Sequence, residues 1–155
     1  MEKLPPLEKV YEAWSALADG RVSVCADERR ATVASSNGQK EYTVAWDADG
    51  HVYSSNDNAT YWQGYAGYPV LAVLMEQGQL PLDHAAAEAF TGVNWTELNE
   101  RFKRNYAAAV AHVTNERDLD ATQLDASAHA VMDALAALDL TIKRGPTRPP
   151  KSKKA

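Results

Sequence analysis

Residues 54–68 hold the densest group of side chains in this chain that could bind a ligand. The stretch reads S-S-N-D-N-A-T-Y-W-Q-G-Y-A-G-Y and combines amide and carboxylate groups with aromatic rings. Such mixtures line both ligand pockets and partner-binding surfaces. We therefore expect a binding or interaction module without catalytic residues, whose partner is a protein or a small molecule. Its candidate contact residues are Asn56, Asp57, Asn58, Tyr61, Trp62, Gln63, Tyr65 and Tyr68.

The same stretch also has a purely structural interpretation. Asn and Asp side chains commonly cap short helices, and large rings can fill the junction between a sheet and a helix. A third interpretation is a small enzyme in which Asp57 is the acid or base of a cleft, which requires a buried carboxyl with a raised pKa. Because the stretch offers no pair of nucleophile and base, its pattern does not favour an enzyme.

Motifs for cofactor and metal binding are missing from the sequence. It has neither the glycine-rich loops that hold phosphates nor the G-x-S-x-G elbow of hydrolases. Cys25 is the single cysteine, which excludes a disulfide or a multi-thiolate zinc site within one chain, and we expect it to lie half-buried in a strand. Asp125, His129 and Asp133 share one helix face, which we interpret as solvated. We therefore expect no metal and no cofactor.

Composition and charge limit the class of protein. With 155 residues, 45% hydrophobic and 24% charged, the chain has the composition of one globular domain. Residues 144–155 carry five basic side chains and no acid, so the remaining body holds 11 basic and 21 acidic residues. An acidic body repels phosphate backbones, which argues against nucleic acid as a partner of the whole domain. An accessory role on nucleic acid, acting through the basic tail, is the remaining alternative.

The location of the protein is expected to be cytoplasmic. No stretch approaches the length of roughly 18 apolar residues that a membrane span needs, and Glu8 and Glu12 interrupt the pattern of a signal peptide. A single cysteine also fits a reducing compartment.

An N-terminal helix and a β-meander are predicted for the first third of the chain. Apolar residues recur every three or four positions from Leu7 to Ala18, which indicates an amphipathic helix that ends at Gly20. About four antiparallel strands follow. Asn37-Gly38 and Asp49-Gly50 predict tight hairpin turns that place Val33 opposite Tyr42, Ala31 opposite Val44 and Trp46 opposite Tyr53. Val33, Tyr42, Val44, Trp46 and Tyr53 then share one buried face.

Helices are predicted for the second half. Pro69 and Gly78 delimit a short buried helix, Pro81–Phe90 a second short one, and Asn94 begins a long helix whose buried stripe runs from Trp95 to Val113. Asp120 caps a last long helix, after which residues 140–142 could return to the edge of the sheet.

The expected fold is therefore α+β, with an N-terminal helix, a meander of about four strands and a helical C-terminal half that covers one sheet face. We expect residues 1–143 to form a single domain and residues 144–155 a disordered basic tail. A symmetric homodimer is expected if the terminal strand or the short apolar helix stays partly uncovered.

Overall fold

The computed structural model describes residues 3–151 and has the α+β architecture expected from the sequence. Its five-stranded sheet has the order β1-β2-β3-β4-β5. The first four strands form an antiparallel meander, and β5 returns from the far end of the chain to pair with β4 in parallel. The strands are β1 (Val22–Cys25), β2 (Arg30–Ala34), β3 (Glu41–Trp46), β4 (Val52–Ser55) and β5 (Thr141–Arg144).

The predicted hairpin registers are confirmed. Val33 pairs with Tyr42, Ala31 with Val44, and Trp46 with Tyr53. The bend at Asn37-Gly38 is wider than a two-residue turn, because the last backbone hydrogen bond between the two arms of the hairpin joins Ser35 and Lys40 (2.9 Å). Only Gly38 there has a positive φ, and the Asn37 side chain instead accepts a hydrogen bond from the Gln39 amide (3.0 Å).

One face of the sheet is buried, as its alternating pattern predicts. Val33, Tyr42, Val44 and Tyr53 are buried, and the half-buried Trp46 stacks on the Tyr53 ring with 5.8 Å between centroids. Cys25 lies in a strand, as predicted, but the prediction that it is half-buried was wrong. It ends an edge strand and is exposed, because β1 is followed by a short surface 3-10 turn rather than by a covering element.

Helices form the rest of the chain. Their bounds are α1 (Glu8–Ala18), α2 (Tyr68–Glu76), α3 (His84–Ala89), α4 (Trp95–Arg101), α5 (Tyr106–Glu116) and α6 (Ala121–Ala137). α2 contacts β1, β3 and β4, and α1 packs on α2 and in turn contacts α3, α5 and α6. The two short predicted helices and the Asp120 cap are confirmed, since the Asp120 side chain accepts a hydrogen bond from the Gln123 amide (3.1 Å).

The prediction of an amphipathic α1 was wrong in one respect that matters for the site. Every residue from Lys9 to Ala16 is buried, including the polar residues Lys9, Glu12 and Ser15. The Ser15 hydroxyl donates a hydrogen bond to the Phe90 carbonyl (2.7 Å) and accepts one from the Trp95 indole (2.8 Å). The side expected to meet water is covered because α1 lies between α2 and the outer helices.

The long helix predicted from Asn94 is in fact two helices. α4 ends at Arg101, and Lys103 and Arg104 both take positive φ values of 52° and 64° before Asn105 caps α5. Glu97 and Arg101 form an ion pair within α4 (2.9 Å), whereas Arg104 lies beyond the end of the helix and so does not share a helical face with Glu100.

The end of the described chain follows the sheet. Arg144, assigned to the tail from the sequence, is the last residue of β5, and the Gly145 amide donates a hydrogen bond to the Ser55 carbonyl (2.8 Å). Residues 152–155 of the predicted tail lie outside the described residues. Between residues 3 and 151, no helix is both long enough and apolar enough to cross a membrane.

Candidate functional site

A cleft of about 770 Å³ opens where four separate parts of the chain meet. The first wall is formed by α1 and the following Arg21, and the second by the β2–β3 hairpin with Lys40 and Tyr42. The segment 57–68 forms the third wall, and α4 with the connection to α5 forms the fourth. The volume falls within the range of roughly 300–1,000 Å³ typical of ligand pockets. The cleft is therefore large enough for a small molecule or a few residues of a peptide.

A buried ion pair from α1 lines the cleft. The Lys9 ammonium lies 3.3 Å from a Glu12 carboxylate oxygen, and both side chains are more than nine-tenths buried. The ammonium also lies 4.2 Å from the centre of the Tyr106 ring. Burial lowers the pKa of Lys9, but the Glu12 carboxylate and Tyr106 raise it by more, so the net pKa lies above its ordinary value. Lys9 is thus held as a cation in the cleft.

Arg21 brings a second, largely buried cation to the cleft. Its Nη1 donates a hydrogen bond to the Ala34 carbonyl (2.6 Å), and its Nε lies 3.4 Å from an Asp19 carboxylate oxygen. Its buried Nη2 has no hydrogen-bond partner among residues 3–151. Burial raises the pKa of the nearby Tyr68 hydroxyl, against an opposing effect of the Arg21 charge. A guanidinium with an unused donor therefore lies beside a tyrosine that stays protonated.

Asp57 fixes the shape of the third wall. One carboxylate oxygen accepts a hydrogen bond from the Ser55 hydroxyl (2.5 Å), and the other accepts one from the Thr60 amide (3.1 Å) at the start of a π-helix, Ala59–Gln63. Gly67 packs directly on this carboxylate, because a Cβ added there would lie 2.0 Å from Oδ2. Asp57 thus orders the segment from within, as the capping interpretation of the sequence expects.

Aromatic rings lie along this wall. Trp62 is 60% exposed and packs edge-on against Tyr61, with 4.7 Å between ring centroids. The Arg144 guanidinium in turn lies 4.5 Å from the centre of the Tyr61 ring, on the side of β5. Tyr65 is half-buried, and burial raises the pKa of its hydroxyl. The exposed indole is the largest apolar surface that the segment offers to a ligand.

Most of the candidate residues from the sequence come together at the cleft, and two do not. Asn56 is buried, accepts a hydrogen bond from the Thr43 amide (2.8 Å) and borders a smaller cavity of about 430 Å³ near residues 145–147. Tyr61 is covered by Arg144 rather than lining the cleft. The candidates that line it are Asp57, Asn58, Trp62, Gln63, Tyr65 and Tyr68.

Comparison with known proteins gives one match. The model of a protein family described as "Uncharacterised conserved protein UCP014422" matches residues 2–141. The chain belongs to this family. No curated protein and no solved structure matches it. Since the matched region of the family extends from before Lys9 to beyond Tyr106, every wall of the cleft lies within it.

Several cleft residues were not found from the sequence. Lys9 and Glu12 lie on the side of α1 that the apolar spacing assigned to solvent, and Arg21 stands alone before a strand. The available signal was weak, since Lys9 and Glu12 are three residues apart and can pair on any helix. Their burial follows from the helices packed around α1, which a local pattern does not contain.

The chemistry that the cleft offers is recognition by polar groups and rings. Arg21 Nη2 is a donor and Asn99 Oδ1 an acceptor, and both are buried without a partner in the part of the chain that the structure describes. Within those same residues, no group of three or more histidine, cysteine or acidic side chains could hold a metal ion. The enzyme alternative would need Asp57 to exchange a proton with a ligand, but both of its oxygens already accept hydrogen bonds.

Proposed function

We propose that this protein is a non-catalytic binding module that holds a small ligand in the cleft bordered by segment 57–68. The observation that carries the proposal is the exposed Trp62 beside a cleft in which Arg21 Nη2 and Asn99 Oδ1 are buried without a partner among residues 3–151. Buried donors and acceptors cost free energy when unpaired, so a ligand that pairs with them gains affinity and specificity.

The proposal is tested by NMR with a panel of organic acids, phosphates, sugars, amines, nucleosides and neutral aromatic compounds. A ligand of the cleft should shift the indole N–H signal of Trp62 and the amide signals of residues 57–68. Trp62→Ala combined with Tyr65→Ala should weaken that binding by more than about tenfold, since a few aromatic anchors commonly supply most of the binding free energy. The circular dichroism spectrum should stay native.

Val24→Ala is the control, because Val24 is an exposed apolar residue on β1 that does not line the cleft. It should leave the affinity within about twofold of the wild type, as expected for a residue outside the contact. A panel without any cleft binder, or binders unaffected by the double substitution, would contradict the proposal.

Assembly and location belong to the same proposal. Residues 69–75 of α2 are all buried and give no reason to dimerise, so a homodimer would form through the sheet edges β1 or β5. Sedimentation velocity distinguishes the monomer from the dimer. A cytoplasmic location, favoured by the single cysteine, is checked by cell fractionation.

A further inference from the structure

The acidic and basic side chains of the cleft differ in how far the protein itself pairs them. Among its acids, Asp57 accepts hydrogen bonds at both oxygens and Glu12 is paired with Lys9. The third acid, Glu100, is exposed to solvent. The two buried acids are therefore already engaged by the protein itself and offer little to a cationic ligand.

Two of the basic residues are in the opposite situation. Lys40 on the β2–β3 hairpin and Arg104 between α4 and α5 line the cleft from different walls. Neither side chain makes a hydrogen bond or an ion pair with any residue from 3 to 151. Arg104 has this position because α4 ends at Arg101, which removes it from the helical spacing with Glu100. Both cations are thus available to a ligand.

The cleft differs in charge from the rest of the domain. The chain has a net charge of −5, so its surface as a whole repels anions. The cleft is lined by four basic side chains, Lys9, Arg21, Lys40 and Arg104, and by three acidic ones. A small anion is therefore attracted to the cleft more than to the acidic body as a whole, which holds 11 basic and 21 acidic residues outside 144–155.

We infer that the ligand of the cleft is a small molecule that carries a carboxylate or phosphate group and an aromatic ring. This inference rests on the proposed function and adds the ligand class to it. The anionic group binds between Lys40 and Arg104, and the ring packs on the exposed face of Trp62. A guanidinium and an ammonium both bind carboxylates as well as phosphates, so the experiment must distinguish a carboxylate ligand from a phosphate ligand.

Five probes separate the contributions of charge and ring. Benzoate and phenyl phosphate carry both features, benzamide is a neutral analogue of benzoate, and acetate and inorganic phosphate lack the ring. Titration is followed at the Trp62 indole N–H by NMR. We expect benzoate or phenyl phosphate to bind at least about fivefold tighter than benzamide and than its ring-free counterpart, an effect on the scale of one partly exposed ion pair. The tighter of the two identifies the anionic group.

Charge substitutions provide the second arm. Lys40→Gln and Arg104→Gln should each weaken binding of the tighter anion by about two- to fivefold, and added salt should weaken it further by screening. Lys103→Gln is the matched control, because Lys103 is exposed, has a positive φ as Arg104 does, and does not line the cleft. It should leave the affinity unchanged.

The outcomes distinguish this inference from the proposed function. If benzamide binds at Trp62 as tightly as the two anions, the inference is overturned while the binding module stands. An equal loss in Lys103→Gln and Arg104→Gln also overturns it. If none of the five probes shifts the Trp62 signal, the inference fails, and the broader panel then decides on the proposed function separately.

Discussion

At the scale of single residues, Asp57 and Gly67 determine the local shape of the cleft wall. The carboxylate ties Ser55 to the start of the π-helix, and the missing side chain at Gly67 makes room for it. The backbone at Gly67 has φ near −73°, which any residue can adopt. The requirement for glycine is therefore one of space rather than of backbone conformation.

Gly67→Ala should lower the free energy of unfolding by about 1–3 kcal/mol, because the new methyl group would overlap the Asp57 carboxylate, from which its Cβ would be separated by 2.0 Å. Urea denaturation measures the change. Binding at the cleft should weaken in parallel, since the carboxylate must move to relieve the overlap.

The combination Asp57→Ala and Gly67→Ala serves as its control. It removes the carboxylate that the methyl group meets, so the double variant should be more stable than the sum of the two single effects predicts. Strict additivity would show that the overlap with Asp57 is not the cause.

At this scale, the sequence predicted the site only in part. The density of polar and aromatic residues in 54–68 located one wall, because the signal lies within a short stretch. The contribution of Lys9, Arg21 and Arg104 depends on how distant elements pack, and no local pattern contains that information. Asn56 was selected by the same pattern but supports the β3–β4 backbone instead.

At the scale of elements, the break between α4 and α5 places Arg104 at the cleft. Lys103 and Arg104 adopt the left-handed conformation that glycine prefers. Because neither residue is a glycine, the residue types at these positions do not predict that the helix ends here. Asn105 was the available signal, since its side chain caps α5 by accepting a hydrogen bond from the Ala108 amide (3.1 Å). The continuous apolar spacing from Trp95 to Val113 concealed it.

Lys103→Gly should raise the free energy of unfolding by about 0.5–1 kcal/mol, because relief of the left-handed strain exceeds the entropic cost of glycine. The comparison is Ala130→Gly, at an exposed position inside α6, which should lower the same quantity by about 1 kcal/mol. Urea denaturation of both variants gives the signs directly. A loss of stability in both would contradict the left-handed geometry at Lys103.

The sheet was predictable to a much greater extent. Hairpins depend on residues close in sequence, so Asn37-Gly38 and Asp49-Gly50 with alternating apolar positions were sufficient to set both registers. The parallel pairing of β5 with β4 depends instead on a connection of 85 residues between Ser55 and Thr141. Only its apolar pattern hinted at an edge strand.

At the scale of the whole molecule, buried tyrosines link the stability of the fold to alkaline pH. Burial raises the pKa of Tyr11 and of Tyr42 to about 12. In the unfolded chain a tyrosine hydroxyl ionises near its ordinary pKa of about 10. The unfolded state therefore loses these protons at a lower pH than the folded state does. The raised pKa of Lys9 acts in the same direction, since its folded value exceeds the unfolded one.

The stability that these groups contribute should be fully present below about pH 10 and should be lost as the pH rises to about 12. For the two tyrosines together we expect a loss on the order of 2 kcal/mol after allowance for solvent screening. Urea denaturation along the pH series measures it. Tyr42→Phe should reduce the slope, because phenylalanine has no proton to lose. An unchanged slope in that variant would refute the assignment to Tyr42.

The four walls of the cleft come from positions near residues 9, 40, 62 and 104, so the cavity exists only when these distant parts of the chain have packed together. A peptide spanning 54–68 alone lacks three of those walls. Ligand binding and folding are consequently coupled through mass action, and a genuine ligand should protect the protein against heat and proteolysis by an amount that grows with the logarithm of its concentration above Kd. Thermal melting in the presence of candidate compounds can therefore also be used to search for the physiological ligand.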